Sequence, residues 1–437
     1  MANSRAVAAL VLKRIVNDHC SIKVALSSVG KSQPSDPRDK AFIQELVYGV
    51  CRWYFDLEHE LSQLLNKPLR RKDHDIKCLL LIGLYQLIHL DTPHHATVQE
   101  TVAAAKDFKK PWAKGLLNAC LRQAIRNKLG TDRNEDTINA RNQPQWLVEE
   151  IERDWPDTRT QILAAYNERP PLCLRVNITK ISREQYLQCL VDAGLNASAT
   201  QYSECGIKVT PAVDTLALPG FDEGLVSVQD EAAQLAASIL CPQANERILD
   251  ACAAPGGKSG HLIEFAGNHL ALTTLDLEPE RLQLVAENLT RLGFSAELLC
   301  GDATRPDTWW NNQAFDKILV DAPCSATGIL RRQPDIKIHR RLSDITNLVE
   351  LQHDILQKLW PLLKPQGTLL YSTCSILNVE NENLMAAFVD SQKDCDALKL
   401  TANWGRDTGK GRQILPGDSD MDGFYYCLLR KSKPANY

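Results

Sequence analysis

Four stretches of this 437-residue chain bring reactive side chains together with the residues that position a ligand. The first is Asp250-Ala-Cys-Ala-Ala-Pro-Gly-Gly-Lys-Ser259. Gly256 and Gly257 allow a sharp turn and close backbone approach to a ligand before a helix begins. The run ends like a phosphate-binding loop, but that loop needs glycine where Cys252 stands, and no G-x-G-x-x-G fingerprint is present. A strand-to-helix turn with no ligand could use the same residues. Its expected place at the carboxyl edge of a parallel sheet, where ligands bind, favours a binding site. The second feature is a series of acids closing successive expected strands: Asp276, Asp302 and Asp321. Any one reads equally well as a turn or N-cap residue. Three along one edge fit a nucleoside-type cofactor, with Asp276, 26 positions after Asp250, placed to accept from ribose hydroxyls.

The third and fourth features are Asp321-Ala-Pro-Cys-Ser-Ala-Thr-Gly328 and Tyr371-Ser-Thr-Cys-Ser375. The chain has 14 cysteines, most in apolar stretches, as Cys51, Cys78 and Cys120 are. None forms a C-x-x-C pair or joins histidines at zinc spacing, so no metal is expected and a single cysteine reads as a reduced, buried thiol. Cys324 and Cys374 stand apart because each follows an expected strand. A thiolate is the strongest nucleophile among common side chains. Added to C6 of a cytosine, it would turn C5 into an enamine-like carbon able to attack a methyl sulfonium. A carboxyl group near N3 would stabilise charge developing on the ring. Two thiols and an acid beside a nucleoside site therefore make chemical sense together, but the residues alone do not say which thiol attacks.

The elements that must position these groups follow from periodicity. Residues 38–65, 76–90, 97–108 and 113–125 carry helical apolar patterns, separated by breaks at Pro34, Pro37, Pro68, Pro93 and Pro111. They predict an all-helical N-terminal bundle. Polar residues 130–145 read as a linker, and 146–240 as a small α+β segment with a strand at 172–177 and a helix at 184–193. From residue 246, strands at 247–253, 269–277, 296–300, 317–321 and 368–372 alternate with helices at 258–265, 279–292 and 342–363. That alternation predicts a doubly wound parallel sheet, with 424–430 as an added antiparallel strand. The length suits three domains, read as 1–140, 141–235 and 236–437.

Composition, with 44% hydrophobic and 24% charged residues, is that of a soluble globular protein. No apolar run reaches the roughly 18–20 residues of a membrane span. The short apolar stretch 6–12 runs into Lys13 and Arg14 and fits neither a signal peptide nor an anchor. A cytoplasmic monomer is expected. Net charge is −4, unevenly spread: residues 1–140 hold 21 Lys and Arg against 15 Asp and Glu, and the remainder 29 against 39. A basic front half suits polyanion docking, although a solvated helical surface gives the same balance. Lys109, Lys110, Lys114, Arg331 and Arg332 are the candidate phosphate contacts.

On these motifs the whole chain resembles the Sun/Fmu family of RNA cytosine-5 methyltransferases. Leu174-Arg175-Val176-Asn177, Val228-Gln229-Asp230-Glu231, the run from Arg331 to Lys337 and Met421-Asp422-Gly423-Phe424 match as well. Asn378 departs from it, standing where proline is expected after the fourth motif. The resemblance implies a NusB-like RNA-binding bundle, a small α+β RNA-binding subdomain and a Rossmann-like class I methyltransferase domain. It implies S-adenosylmethionine as cofactor, its methionine end wrapped by Ala253, Ala254, Pro255, Gly256, Gly257, Lys258 and Ser259, its ribose held by Asp276 and its adenine beside Asp302. Asp321 would sit between cofactor and base, Cys374 would be the nucleophile and Cys324 would assist release. DNA enzymes of this chemistry attack with the cysteine of a Pro-Cys motif, which would select Cys324. The implied target is cytosine 967 of 16S ribosomal RNA, free or early in assembly, with the base flipped out or unpaired. No DNA or membrane partner is implied. Transfer RNA methylation and a non-catalytic NusB-like RNA-binding factor are the alternatives.

Overall fold

The structure, a computed structural model, describes residues 3–29, 36–131 and 134–432, so the break at Pro34 lies outside the described residues. The chain divides into two compact units: residues 1–168 with 330–341, and 169–329 with 342–437.

The first unit is helical: α1 (Ser4–Asp18), α2 (Ile22–Ser28), α3 (Pro37–Arg52), α4 (Tyr54–Leu64), α5 (His74–His89), α6 (His94–Ala104), α7 (Ala113–Arg126), α8 (Glu135–Arg141), α9 (Gln145–Asp154) and α10 (Arg159–Ala165). Helix α5 is buried from Ile76 to Gln86 except Lys77, as a helix enclosed by others must be. Two expectations fail here. The helix expected over 38–65 breaks at Trp53, whose non-helical backbone lets the indole stack on His89, ring centroids 4.2 Å apart. The expected linker at 130–145 contains α8. Asn134 caps it through Thr137 N–H, and Arg141 on its last turn pairs with buried Asp56 and with Glu60 of α4. A distant ion pair thus orders a stretch that is locally polar.

Residues 330–341 enter this helical unit from the motif that carries Cys324. Lys337, buried, donates from Nζ to the carbonyls of Arg52 (2.6 Å) and Asn142 (2.8 Å), which end α3 and follow α8. Those carbonyls lie at helix ends, where intrahelical donors run out, while burial pushes the Lys337 amine well below its ordinary value. Asp335 accepts from Ile22 N–H at the start of α2 (3.2 Å), and Arg52 donates to the Arg331 carbonyl (2.9 Å). Arg331 is 1% exposed, so it does not present a guanidinium to a polyanion. Lys110 is likewise committed, to Asp73 (2.9 Å) and Asp75 (2.7 Å). Both corrections have one cause: charge count does not report burial or pairing.

The second unit holds two sheets. Antiparallel strands β1 (Leu172–Val176), β2 (Ala197–Ala199), β3 (Gly206–Val209) and β4 (Val226–Val228) line up as β2-β3-β1-β4. The larger sheet is built from β5 (Arg247–Ala251), β6 (Ala271–Asp276), β7 (Glu297–Cys300), β8 (Phe315–Asp321), β9 (Leu363–Thr373), β10 (Cys395–Leu398), β11 (Arg406–Asp407), β12 (Arg412–Ile414) and β13 (Phe424–Lys431). Its order is β11-β12-β13-β9-β8-β5-β6-β7, with β10 also on β13. Strands β5 to β9 pair in parallel, and β13 is antiparallel to β9. Alternate residues divide between two cores: Ile248, Leu319, Leu370 and Tyr426 face one helical layer, and Leu249, Ile318, Leu369 and Tyr425 face the other. Period-two patterning with both faces covered makes the doubly wound sheet. The helix expected to reach 363 stops at Leu359, because Pro361 allows only a short 3-10 turn before β9. Among the described residues no helix is long and apolar enough to cross a membrane.

The small sheet reaches the large one through Arg175 on β1, which is 0% exposed. Its Nε and Nη2 grip both oxygens of buried Glu264 (2.8 Å each), and Nη1 reaches Gln229 Oε1 (2.6 Å) and Gly257 O (2.5 Å). Removing one partner of such a pair leaves an uncompensated buried charge. Arg175→Ala should therefore cost about 3–5 kcal/mol in urea denaturation, while Arg175→Met with Glu264→Leu costs clearly less. Equal losses in both variants would show that the pair is not what holds this region.

Candidate active site

All four motifs meet at the carboxyl edge of the parallel strands. Strand β5 ends at Ala251, and the chain turns through Cys252 (φ 61°) and Gly256 (φ 89°) into the helix Gly257–Phe265. At Gly256 a Cβ would stand 3.1 Å from Val285 Cα, in a backbone region that side chains disfavour, so glycine is required there. Ala253 N–H donates to Leu275 O (3.0 Å), and Ala254 N–H to Asp276 Oδ2 (3.0 Å), so the loop is moored to the neighbouring strand. Asp276 is 2% exposed and also lies 3.5 Å from Arg281. Asp302 accepts from Thr304 N–H (2.8 Å) and Oγ1 (2.7 Å) through one oxygen, a turn beyond β7. Ser259 is buried and its hydroxyl is committed to Asp250 Oδ2 (2.6 Å).

Beneath the turn, Asp250 Oδ1 is buried with no hydrogen-bond partner. Burial, and secondarily the nearby charges of Asp321 and Asp276, push this carboxyl up to about 7. On the β8 side, Asp321 accepts from Lys258 Nζ (2.7 Å) and Ser372 Oγ (3.0 Å). Burial opposes the Lys258 charge, but Asp321 outweighs it and holds the ammonium above its ordinary value. The two cysteines, 50 positions apart, bring their sulfurs to 3.5 Å. The hydrogen bond with Cys374, then burial, pushes the Cys324 thiol well above its ordinary value, so it rests protonated. Both are half-buried. Lys258 with Asp321, and Cys324 with Cys374, thus form two contacting pairs on this edge, with Asp276 and Asp302 farther along it.

Sequence reasoning missed the support behind the thiols. Glu380 is fully buried and takes donors from both cysteine loops, helped by Gln352 and Asn381. The sequence offers one faint signal, an acid directly after the mostly apolar stretch 376–379.

These features define an S-adenosylmethionine-dependent methyltransferase: a partnerless buried carboxyl oxygen under a glycine turn and acids at consecutive strand ends fit that cofactor. Residues 237–430 match the model of the 16S rRNA methyltransferase RsmB/F family, 2–126 the NusB family, and 143–215 the RsmF/B-like ferredoxin-like domain. The chain is 44% identical over 431 residues to the ribosomal RNA small subunit methyltransferase B of Pseudomonas putida, covering 98% of each chain. The Vibrio cholerae protein of the same name is 43% identical, again over 98% of each. Among solved structures, PH0851 aligns over 98% of this chain and 99% of its own, with a TM-score of 0.85 at 22% identity. A methyltransferase homolog from Pyrococcus horikoshii covers 66% of this chain and 95% of its own, with a TM-score of 0.58 at 29% identity. The chain belongs to the 16S rRNA methyltransferase RsmB/F family. The fold class implied by the sequence resemblance is the one observed.

The Asp250 carboxyl gives a pH prediction. Its ordinary value of 3.8 rises to about 7 in the fold, so between these values the folded chain holds a proton that the unfolded chain releases. The stability it contributes is complete below 3.8 and disappears as pH rises through about 7. Urea denaturation across that window should show Asp250→Asn losing this downward slope relative to the unaltered protein; parallel curves would contradict the assignment.

Proposed function

We propose that this protein methylates C5 of cytosine 967 in 16S ribosomal RNA, with Cys374 as the nucleophile and Cys324 assisting release. The observation that carries this reading is the 3.5 Å contact between two thiols that follow adjacent parallel strands, beside an acid held by a lysine. C5 and C6 are bonded neighbours in the ring, so chemistry at both needs two side chains side by side.

In this reading the Cys374 thiolate adds to C6, forming an S–C6 bond as the C5=C6 π pair moves onto C5. Asp321, held by Lys258 and Ser372, lies beside N3 and meets the charge developing there, the Lys258–Asp321 pair supplying the proton. S-adenosylmethionine, when bound, supplies the electrophilic methyl group that C5 takes up. Cys324, having released its own thiol proton to solvent, then accepts the C5 proton as a thiolate, and the N3 proton returns to the Lys258–Asp321 pair. The C–H electrons restore C5=C6, and the S–C6 pair returns to Cys374. Bonding Cys374 to C6 ends the hydrogen bond that, more than burial, holds the Cys324 thiol protonated, so Cys324 can lose its proton after addition. Ala253 to Ser259, Asp276 and Asp302 are the proposed cofactor contacts along the edge.

The helical and small α+β parts supply RNA contact in this scheme, with exposed Lys109 and half-exposed Lys114 as phosphate contacts. The domains are taken as 1–140, 141–235 and 236–437. The enzyme acts as a cytoplasmic monomer on RNA that is free or early in assembly, with the target base out of its stack.

The test uses labelled S-adenosylmethionine and bare small-subunit RNA. The unaltered protein should place label in 5-methylcytosine. Cys374→Ala should place none, and Cys324→Ala should accumulate a covalent protein–RNA adduct on denaturing gels. Absence of label in 5-methylcytosine with the unaltered protein overturns the reading, and an adduct with Cys374→Ala instead would exchange the two roles.

A further inference from the structure

Behind the thiols, the two cysteine loops bond to each other directly and also converge on one buried carboxylate. Glu380 is 0% exposed. Its Oε1 accepts from Ser325 N–H (2.8 Å) and Gln352 Nε2 (3.0 Å), and its Oε2 from the hydroxyls of Ser325 and Ser375 (2.5 Å each). Ser325 follows Cys324, and Ser375 follows Cys374. Gln352 also donates to Pro323 O (2.8 Å), the residue before Cys324. The Ser325 and Ser375 hydroxyls lie 3.0 Å apart, and Gly328 N–H donates to Cys374 O (2.8 Å). Asn381 holds the other side of the Cys374 loop, accepting from Thr373 Oγ1 (2.6 Å) and donating to Ser375 O (3.0 Å).

We propose that Glu380 is a positioning residue that sets the separation of the Cys324 and Cys374 sulfurs, and thereby whether Cys324 reaches C5 once Cys374 is bonded to C6. The proposal rests on the cysteine roles given above. Strand pairing brings β8 and β9 level but ends at Asp321 and Ser372, before either cysteine. Beyond that point the loops follow irregular paths, tied directly by Gly328 N–H to Cys374 O (2.8 Å) and Ile376 N–H to Thr327 Oγ1 (3.0 Å), and the carboxylate is the one charged group that takes donors from both. Four donors converge on it, two on each oxygen, so loss of an acceptor or of one tie loosens one loop against the other. A sulfur displaced by about 1 Å can cost about 10²-fold in a step that needs aligned atoms. Addition needs one thiol and release needs both, so a loosened pair should slow release more than addition.

The experiment measures thiol proximity in the full-length protein. Diamide takes two electrons and two protons from a neighbouring thiol pair, giving one disulfide and the hydrazine. Rates of the Cys324–Cys374 crosslink are followed by peptide mapping, with iodoacetamide alkylation of each thiol as a control for access. Glu380→Gln keeps the shape but turns one acceptor into a donor facing donors. Ser375→Ala removes a single hydroxyl and carries the test if the first variant does not fold. Crosslinking should slow about tenfold or more in either variant, the size expected for a lost hydrogen bond to a charged group, while single-thiol alkylation is unchanged. With RNA and S-adenosylmethionine the same variants should accumulate adduct with KM unchanged. Equal crosslinking rates, or crosslinking and alkylation that fall together, overturn the proposal. If the variants lose crosslinking but the unaltered protein makes no 5-methylcytosine, the positioning stands and the cysteine roles fall.

Discussion

Two thiols 50 positions apart can meet only if the strands before them are neighbours, run the same way and finish level. Strands β8 and β9 satisfy all three conditions: Asp321 and Ser372 are register partners at their ends, and each cysteine lies two or three positions beyond. Parallel pairing demands a long crossover, and the helix Leu342–Leu359 provides it. The same geometry brings β5 between β8 and β6, so the glycine turn opens where the strand order reverses. Ligands bind at that switch point in open α/β sheets. The acids, the lysine and the thiols share an edge because the sheet is parallel.

The edge is stiffened by buried polar groups rather than by apolar packing alone. Arg175 reaches from the small sheet to the first residue of the helix that follows the glycine turn. Glu380 and Gln352 close the loops on the other side. Such groups are costly to desolvate, and they persist only where every lone pair and proton is matched. In return they fix geometry more tightly than interchangeable aliphatic contacts. Two of these groups depart from that rule: Gln352 Oε1 has no partner, and Asp250 has one oxygen matched by Ser259 and the other unmatched, directly below the turn that faces the ligand edge.

Legibility in the sequence followed how local each determinant was. The helix Pro279–Leu292 could be read at both ends, since proline opens it and Gly293, at φ 84°, closes it. The strand ends and their acids were likewise visible from alternation and turn residues. Strand order was not, and so neither was the meeting of Cys324 with Cys374. Helix α8 escaped notice because the residues that stabilise it, Asp56 and Glu60, lie about 80 positions away. Arg331 looked like a surface cation because composition records charge and not burial. Glu380 sits in a loop with no recurring spacing to mark it, and its meaning appears only once two distant serines stand against it.

Residues 330–341 give the helical unit an ancestry constraint. A module that is contiguous in sequence can be duplicated, lost or exchanged in one recombination event. This one carries a tie to distant sequence, because twelve residues encoded far downstream pack onto it, with Lys337 satisfying carbonyls at the ends of two helix-bearing segments. A transplanted copy of residues 1–168 would arrive with those carbonyls unmet and the seat of Ile338 vacant. The helical part and the stretch after the Cys324 motif are therefore obliged to evolve together, although the gene separates them by more than 160 codons.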